Sequence, residues 1–177
     1  MCNLTMEECE IINELKVRVE KAAQETIQKL NGLSLTAALA ESCTAGLVSA
    51  CLADTPGASR VLWGSYVCYT KEAKISMLGL DGILLSANGL VSRETALSMA
   101  AGALQKSGAD IAAAVTGLAG PDGDGSNIPV GTIWIAAAMR NGEASAKEFH
   151  FTGSRNIVRM QAAIAVIESI YNLDIRV

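Results

Sequence analysis

The sequence predicts an α/β fold: a three-layer α/β/α sandwich around a mixed, mostly parallel five-stranded sheet, with an additional N-terminal helix. Three observations carry this. Short apolar runs of strand length alternate with segments of helical period, the pattern of parallel strands buried on both faces. The last two strand runs are separated only by Arg140-Asn141-Gly142-Glu143, whose Asn-Gly marks a tight hairpin and therefore an antiparallel pair. The 177 residues, half of them apolar, are enough for one domain with a substantial core.

In residues 5–30, Ile12, Leu15, Val19, Ala22, Ala23, Ile27 and Leu30 recur every three or four positions, which predicts one amphipathic helix ended by Asn31-Gly32. Residues 1–32 are therefore assigned to a helix packing on the domain, and 33–177 to the single domain itself. Residues 33–40 read as a buried strand running into Glu41-Ser42-Cys43-Thr44-Ala45-Gly46, with a helix over 47–53. A turn at 54–57 precedes a β-rich run over 61–69, and Thr70 is placed to cap a short helix over 71–78. Ser92 caps a helix over 93–106 stopped by Gly108, and 110–115 is another buried strand. Residues 116–127, TGLAGPDGDGSN, form a long irregular loop, a type often functional in compact domains. Strands over 130–139 and 144–151 and a closing helix over 154–171 complete the chain.

Composition excludes several classes of function. A net charge of −4 argues against a nonspecific nucleic-acid or anionic-membrane surface. The apolar runs are broken before bilayer length. Glu7, Glu8, Glu10, Glu14, Glu20 and Glu25 are wrong for a secretory or transit leader, so a cytoplasmic location is the default. Five cysteines with no C-x-x-C pair, three of them (Cys43, Cys51, Cys68) in apolar segments, read as reduced thiols. No His/Cys/carboxylate set has metal-ligand spacing, and the glycine-rich loop has neither a P-loop nor a dinucleotide fingerprint, so neither metal nor organic cofactor is expected.

In open α/β sheets, ligands collect at the carboxyl ends of the strands, where 41–46, 69–74 and 116–125 each follow a predicted parallel strand. Ser42 could be a nucleophile on a sharp turn, with the N–H groups of Cys43 and Thr44 as oxyanion donors; the commoner fate of such a serine is a helix N-cap. The lone histidine, His150, lies on a strand and does not complete a triad. A desolvated lysine is then the remaining base, with Lys74 and its neighbour Lys71 as candidates, although spacing alone favours a solvated helix face for Lys74. Trp63 and Trp134 read as core residues. Arg155 and Arg159, four apart at the start of the last helix, are either an anion clamp or a solvated face.

At these segments the chain resembles the CinA C-terminal domain family, the nicotinamide mononucleotide deamidases, also called the competence/damage-inducible protein family. The resemblance rests on Ala40-Glu41-Ser42-Cys43-Thr44-Ala45-Gly46, on Tyr69-Thr70-Lys71-Glu72-Ala73-Lys74 followed by Leu78-Gly79, and on Val91-Ser92-Arg93-Glu94-Thr95-Ala96. It continues through Thr116-Gly117-Leu118-Ala119-Gly120-Pro121, Pro129-Val130-Gly131-Thr132 and Phe151-Thr152-Gly153-Ser154-Arg155, in order over about residues 33–171. Ala45 stands where the family usually has the first of two glycines, Ser65 where a glycine is usual, and Ser154 where an aspartate is usual. The Ala45 methyl is expected to narrow the pocket beside Ser42 or to hinder close backbone approach to substrate.

The resemblance implies hydrolysis of nicotinamide mononucleotide to nicotinate mononucleotide and ammonia, a step in pyridine-nucleotide salvage. It makes Ser42 the nucleophile and Tyr69 and Lys74 its proton-handling partners, choosing Lys74 over Lys71. The substrate-binding set that goes with it is Cys43, Thr44, Gly46, Thr116, Gly117 and Arg155. It further implies the stand-alone form of the family, a homodimer or higher homo-oligomer, and no metal or cofactor. The alternatives are a catalytically silent nucleotide-binding or interaction module, and a different small-amide or nucleotide hydrolase using the same side chains.

Overall fold

The computed structural model describes residues 5–140 and 142–175; Asn141 of the predicted hairpin lies outside them. Helix α1 (Met6–Gly32) opens on a reciprocal cap, in which Thr5 Oγ1 accepts from the Glu8 N–H and the Glu8 carboxylate accepts from the Thr5 N–H. It buries Leu15, Val19, Ala23, Ile27 and Leu30, the face its periodicity predicts. Strand β1 (Ala37–Glu41) begins four residues later than expected. Leu33 caps α1 and Ser34 takes φ 56°, so this end of the apolar run turns the chain instead of entering the sheet.

The chain continues through α2 (Leu47–Ala53), a 3₁₀ turn (Ala58–Arg60) and β2 (Leu62–Val67). Three helices follow: α3 (Lys71–Leu78), α4 (Gly82–Asn88) and α5 (Arg93–Ser107). The Thr70 cap of α3, the Ser92 cap of α5 and the left-handed Gly108 at the end of α5 are as predicted. Helix α4, capped by Asp81, was not predicted, because Ile83, Leu84 and Leu85 are consecutive and only Leu85 is buried. Strands β3 (Ile111–Gly117), β4 (Thr132–Met139) and β5 (Ala144–His150) and helix α6 (Arg155–Tyr171) complete the fold.

The sheet order is β2-β1-β3-β4-β5; β1 pairs parallel with β2 and β3, and β4 is antiparallel to both β3 and β5. The alternation of strand side chains sorts the core into two layers. Ile111, Ala113, Val115, Ile133 and Ile135 meet α1, α2 and α6 on one face, whereas Ala112, Ala114, Ala136 and Ala138 meet the helices α3 to α5 on the other. Gly102 lets α5 lie close against the end of α3: a Cβ there would come within 2.6 Å of the Leu78 carbonyl oxygen.

The chain leaves β1 through α2 on one face to reach β2, then crosses by α3, α4 and α5 on the other face to reach β3. The connections therefore part on either side of β1, which creates a crevice at its carboxyl end, the usual ligand position in such a sheet.

Candidate functional site

Residues from the ends of all three parallel strands line a cleft of about 260 Å³ at this switch point, among them Ser42, Cys43, Tyr69, Lys74, Thr116, Gly117 and Arg155. Thr116 and Gly117 are the last two residues of β3 and not the start of the loop. Gly117 is required by packing, since a Cβ there would lie 2.5 Å from the Thr132 carbonyl oxygen.

Ser42 follows β1 in a tight turn closed by the Ala45 N–H donating to the Ser42 carbonyl at 3.0 Å. The helix cap of α2 is Gly46, so Ser42 is not an N-cap serine. Lys74, one turn into α3, is 1% exposed, and its Nζ lies 2.8 Å from Ser42 Oγ, 2.9 Å from the Cys68 carbonyl and 3.5 Å from the Tyr69 carbonyl. Burial holds its pKa below the ordinary lysine value of 10.5, because the charged form loses water that these neutral partners only partly replace. In the neutral form the amine donates to the two carbonyls and offers its lone pair to the Ser42 hydroxyl. The other lysine, Lys71, instead donates to Ser86 Oγ at 2.6 Å on the surface. Cys43, next to Ser42, does not compete as a nucleophile: burial pushes its thiol up to about 11.

The turn is held by a residue that sequence reasoning quoted but gave no role. The Glu41 carboxylate is fully buried and accepts from the N–H groups of Gly46, Val48 and Ser49 and the hydroxyls of Thr44 and Ser65, at 2.8 to 3.1 Å. It anchors the N-terminus of α2, where negative charge is favoured, and fixes the approach to Ser42. The signal in the sequence was an acidic residue ending an otherwise apolar strand. Ser65, one of the departures from the family pattern, supplies a donor to this carboxylate.

The expected binding residues separate accordingly. Cys43, Thr116, Gly117 and Arg155 border the cleft. Thr44 is fully buried with its hydroxyl on Glu41, and the Gly46 N–H also goes to Glu41, so both face inward and support the turn. Tyr69 is 51% exposed at the rim, where its hydroxyl accepts from Arg155 Nη2 at 2.9 Å; Arg155 Nη1 reaches the Gly120 carbonyl. Arg159 is neither an anion clamp nor a solvated face: its Nε donates to the Cys43 carbonyl at 3.2 Å and its Nη2 to the Thr44 carbonyl at 2.6 Å.

His150 pairs with Glu148 on β5, outside the cleft lining. Trp134 is partly buried, but Trp63 is 50% exposed and stacked on Tyr66, because β2 is an edge strand with an open flank. Ala45 is exposed with φ 51°, so its methyl strains the backbone and does not narrow the cleft.

Among the described residues no cluster of three or more His, Cys, Asp or Glu side chains is placed to hold a metal ion, and no helix is long and apolar enough to cross a membrane.

Fold and site together define an α/β sandwich with a ligand cleft at its topological switch point and a buried serine–lysine pair in that cleft. The chain belongs to the CinA family: the CinA C-terminal domain matches residues 19–173. A putative competence-damage inducible protein of Symbiobacterium thermophilum is 46% identical over 138 residues, covering 73% of this chain and 32% of that protein. A CinA-like protein of Mycobacterium tuberculosis is 46% identical over 122 residues, 69% of this chain and 28% of its own length. The chain thus matches about a third of these relatives' length. The crystal structure of the competence/damage inducible protein CihA from Agrobacterium tumefaciens superposes with a TM-score of 0.83 at 38% identity, covering 86% of this chain and 93% of that one. That of the competence damage-inducible protein A from Klebsiella pneumoniae gives 0.84 at 29% identity, covering 86% and 94%.

Proposed function

We propose that this protein is an amidohydrolase that converts nicotinamide mononucleotide to nicotinate mononucleotide and ammonia. The observation that carries the reading is the 2.8 Å approach of the buried Lys74 Nζ to Ser42 Oγ at the cleft floor. A binding surface has no need of a desolvated lysine against a hydroxyl, whereas a serine nucleophile needs a base. The substrate follows from the family resemblance.

Neutral Lys74 takes the Ser42 proton as Oγ attacks the carboxamide carbon. The C–O bond forms, the carbonyl electrons move to oxygen, and the oxyanion is met by the N–H of Cys43, which borders the cleft. Collapse expels ammonia, which receives the proton held on Lys74. Tyr69, whose oxygen accepts from Arg155 and whose O–H is thereby left to donate, relays that proton at the rim. Water then attacks the acyl–Ser42 ester with Lys74 again as base, releasing the carboxylate and restoring Ser42. Arg155 and the N–H groups of the 119–125 loop receive the substrate phosphate.

The test is ammonia release from nicotinamide mononucleotide by wild type and Ser42→Ala in metal-free buffer, with nicotinate mononucleotide identified as product. Turnover by wild type and none by a folded, ligand-binding Ser42→Ala is the expected result. Absence of turnover in a folded wild type overturns the substrate reading and turns attention to other amides or to a binding module.

A further inference from the structure

We infer that Arg159 is a positioning residue for the nucleophile turn, setting the reactivity of Ser42 from outside the cleft through the backbone of Cys43 and Thr44. The inference rests on the role proposed for Ser42 and names a residue that neither the motifs nor the cleft lining single out.

A trans peptide unit points its C=O and N–H in opposite directions, so whatever holds the carbonyl aims the N–H. The three units that follow Ser42 are all held by their carbonyls. The Ser42 carbonyl accepts from the Ala45 N–H at 3.0 Å, the Cys43 carbonyl from Arg159 Nε at 3.2 Å, and the Thr44 carbonyl from Arg159 Nη2 at 2.6 Å and the Leu47 N–H at 3.2 Å. Among the described residues, the N–H groups of Cys43 and Thr44 go to no backbone carbonyl in the turn. Thr44 is fully buried, which leaves the Cys43 N–H as the donor beside Ser42 that a ligand in the cleft can reach, and Arg159 aims it at one remove, since the Thr44 unit it holds carries the Ala45 N–H that fixes the Ser42 carbonyl.

The clamp has two opposite charges. Glu41 gathers N–H groups of Gly46, Val48 and Ser49 on one side of the turn, and Arg159 gathers the carbonyls of Cys43 and Thr44 on the other. Charged partners give the stronger hydrogen bonds, and a planar guanidinium spans two adjacent carbonyls where an ammonium reaches one. This holds Ala45 in its left-handed conformation at φ 51° without the glycine usual there. Arg159 also lies one turn along α6 from Arg155, so the first turns of this helix tie together the nucleophile turn, the rim tyrosine and the Gly120 loop.

The experiment compares wild type, Arg159→Met and Arg159→Lys in two assays. One is the rate of labelling of Ser42 by a fluorophosphonate, in which the Oγ–P bond forms, the P–F bond breaks, fluoride leaves and Lys74 takes the proton; this needs no knowledge of the substrate. The other is kcat and KM for nicotinamide mononucleotide, with thermal unfolding recorded for each variant. Arg159→Met is expected to slow labelling and lower kcat by about ten- to a hundredfold with KM within about threefold, as expected for misplacement of reacting groups in an intact cleft, and Arg159→Lys to recover part of both. A folded Arg159→Met that labels at the wild-type rate overturns the inference, as does a wild type that is never labelled at Ser42. A wild type that labels but does not deamidate the nucleotide, with slower labelling in Arg159→Met, upholds the inference while overturning the substrate.

Discussion

Lys74 Nζ lies 2.8 Å from Ser42 Oγ although the two side chains come from opposite sides of the sheet. Ser42 is on the turn into α2, which packs in the layer with α1 and α6, and Lys74 is on α3 in the other layer. They meet because α2 starts from β1 itself and α3 begins the crossover that carries the chain from β2 past β1 to β3, so both reach the carboxyl end of β1.

Substitution of the two neighbouring lysines separates this contact from general surface charge. Lys74→Met is expected to reduce deamidase turnover at least a thousandfold, the scale at which a nucleophile loses its base. Lys71→Met, which removes a surface bond to Ser86, is expected to retain turnover within about threefold, as surface changes do. Steady-state ammonia release checks both; equal losses in two folded variants would contradict the assignment of Lys74.

The buried lysine also leaves a mark on stability. Its folded-state pKa lies below 10.5, so between that lowered value and 10.5 the unfolded chain binds more protons and stability rises with pH. The thiols act in the opposite sense: buried Cys43 and half-buried Cys51, each near 11, and buried Cys68, also raised, contribute stability that is complete below the ordinary thiol value of 9.0 and lost at more alkaline pH. The Lys74 charge also lowers the Cys43 and Cys68 thiols, so the lysine is isolated by comparing Lys74 with Lys74→Met in a Cys43→Ala, Cys68→Ala background, where Cys51 is common to both. Urea unfolding from about pH 7 to pH 10 is expected to show Lys74→Met as the more stable at neutral pH, with the gap narrowing as pH rises. A constant gap would mean that Lys74 carries no lowered pKa.

Loss of the Glu41 carboxylate is expected to be costly before any question of activity. Glu41→Ala strands three N–H groups and two hydroxyls that now donate to it, a loss of roughly 3 kcal/mol or more. Glu41→Gln keeps an acceptor on one side but points an amide N–H at donors on the other, and falls between wild type and Glu41→Ala. Denaturant midpoints give the order directly.

At Ala45 the expected change is a gain. A left-handed conformation costs an L-residue about 1–2 kcal/mol, and glycine avoids it at an entropic cost of about 0.5–1 kcal/mol. Ala45→Gly is therefore expected to stabilise the protein by about 0.5–1 kcal/mol. Since Ala45 does not line the cleft, KM should be unchanged. Thermal unfolding and steady-state kinetics test the two halves of this statement.

Most elements were legible because their signals are local. Thr70 and Ser92 are caps by chemistry and position, Gly108 is a stop, and the α1 period is regular over its whole length. Helix α4 was missed for want of that period, the start of β1 was misplaced because an apolar run reads the same in a turn as in a strand, and Trp63 was put in the core because a sequence does not show which strand is at the edge. Within the site, the family resemblance pointed to Ser42, Tyr69 and Lys74, where spacing alone favoured a solvated helix face for the lysine, but Glu41 and Arg159 act on backbone atoms that every residue has, and so carry no signature of their own.

The sequence by itself determined the layer architecture, the three strand-end segments that border the cleft, and the family, since hydrophobic period, capping and motif order are all written along the chain. How closely Lys74 meets Ser42, which way Thr44 and Gly46 face, and what Arg159 holds were decided only by the tertiary structure. Thr44 and Gly46 turn inward to Glu41, three and five residues away, once that carboxylate is buried by the packed layers, whereas Ser42 and Lys74 are 32 positions apart and Cys43 and Arg159 are 116 apart and meet only in the assembled fold. Such distances follow from how the sheet is assembled and not from neighbours in the chain.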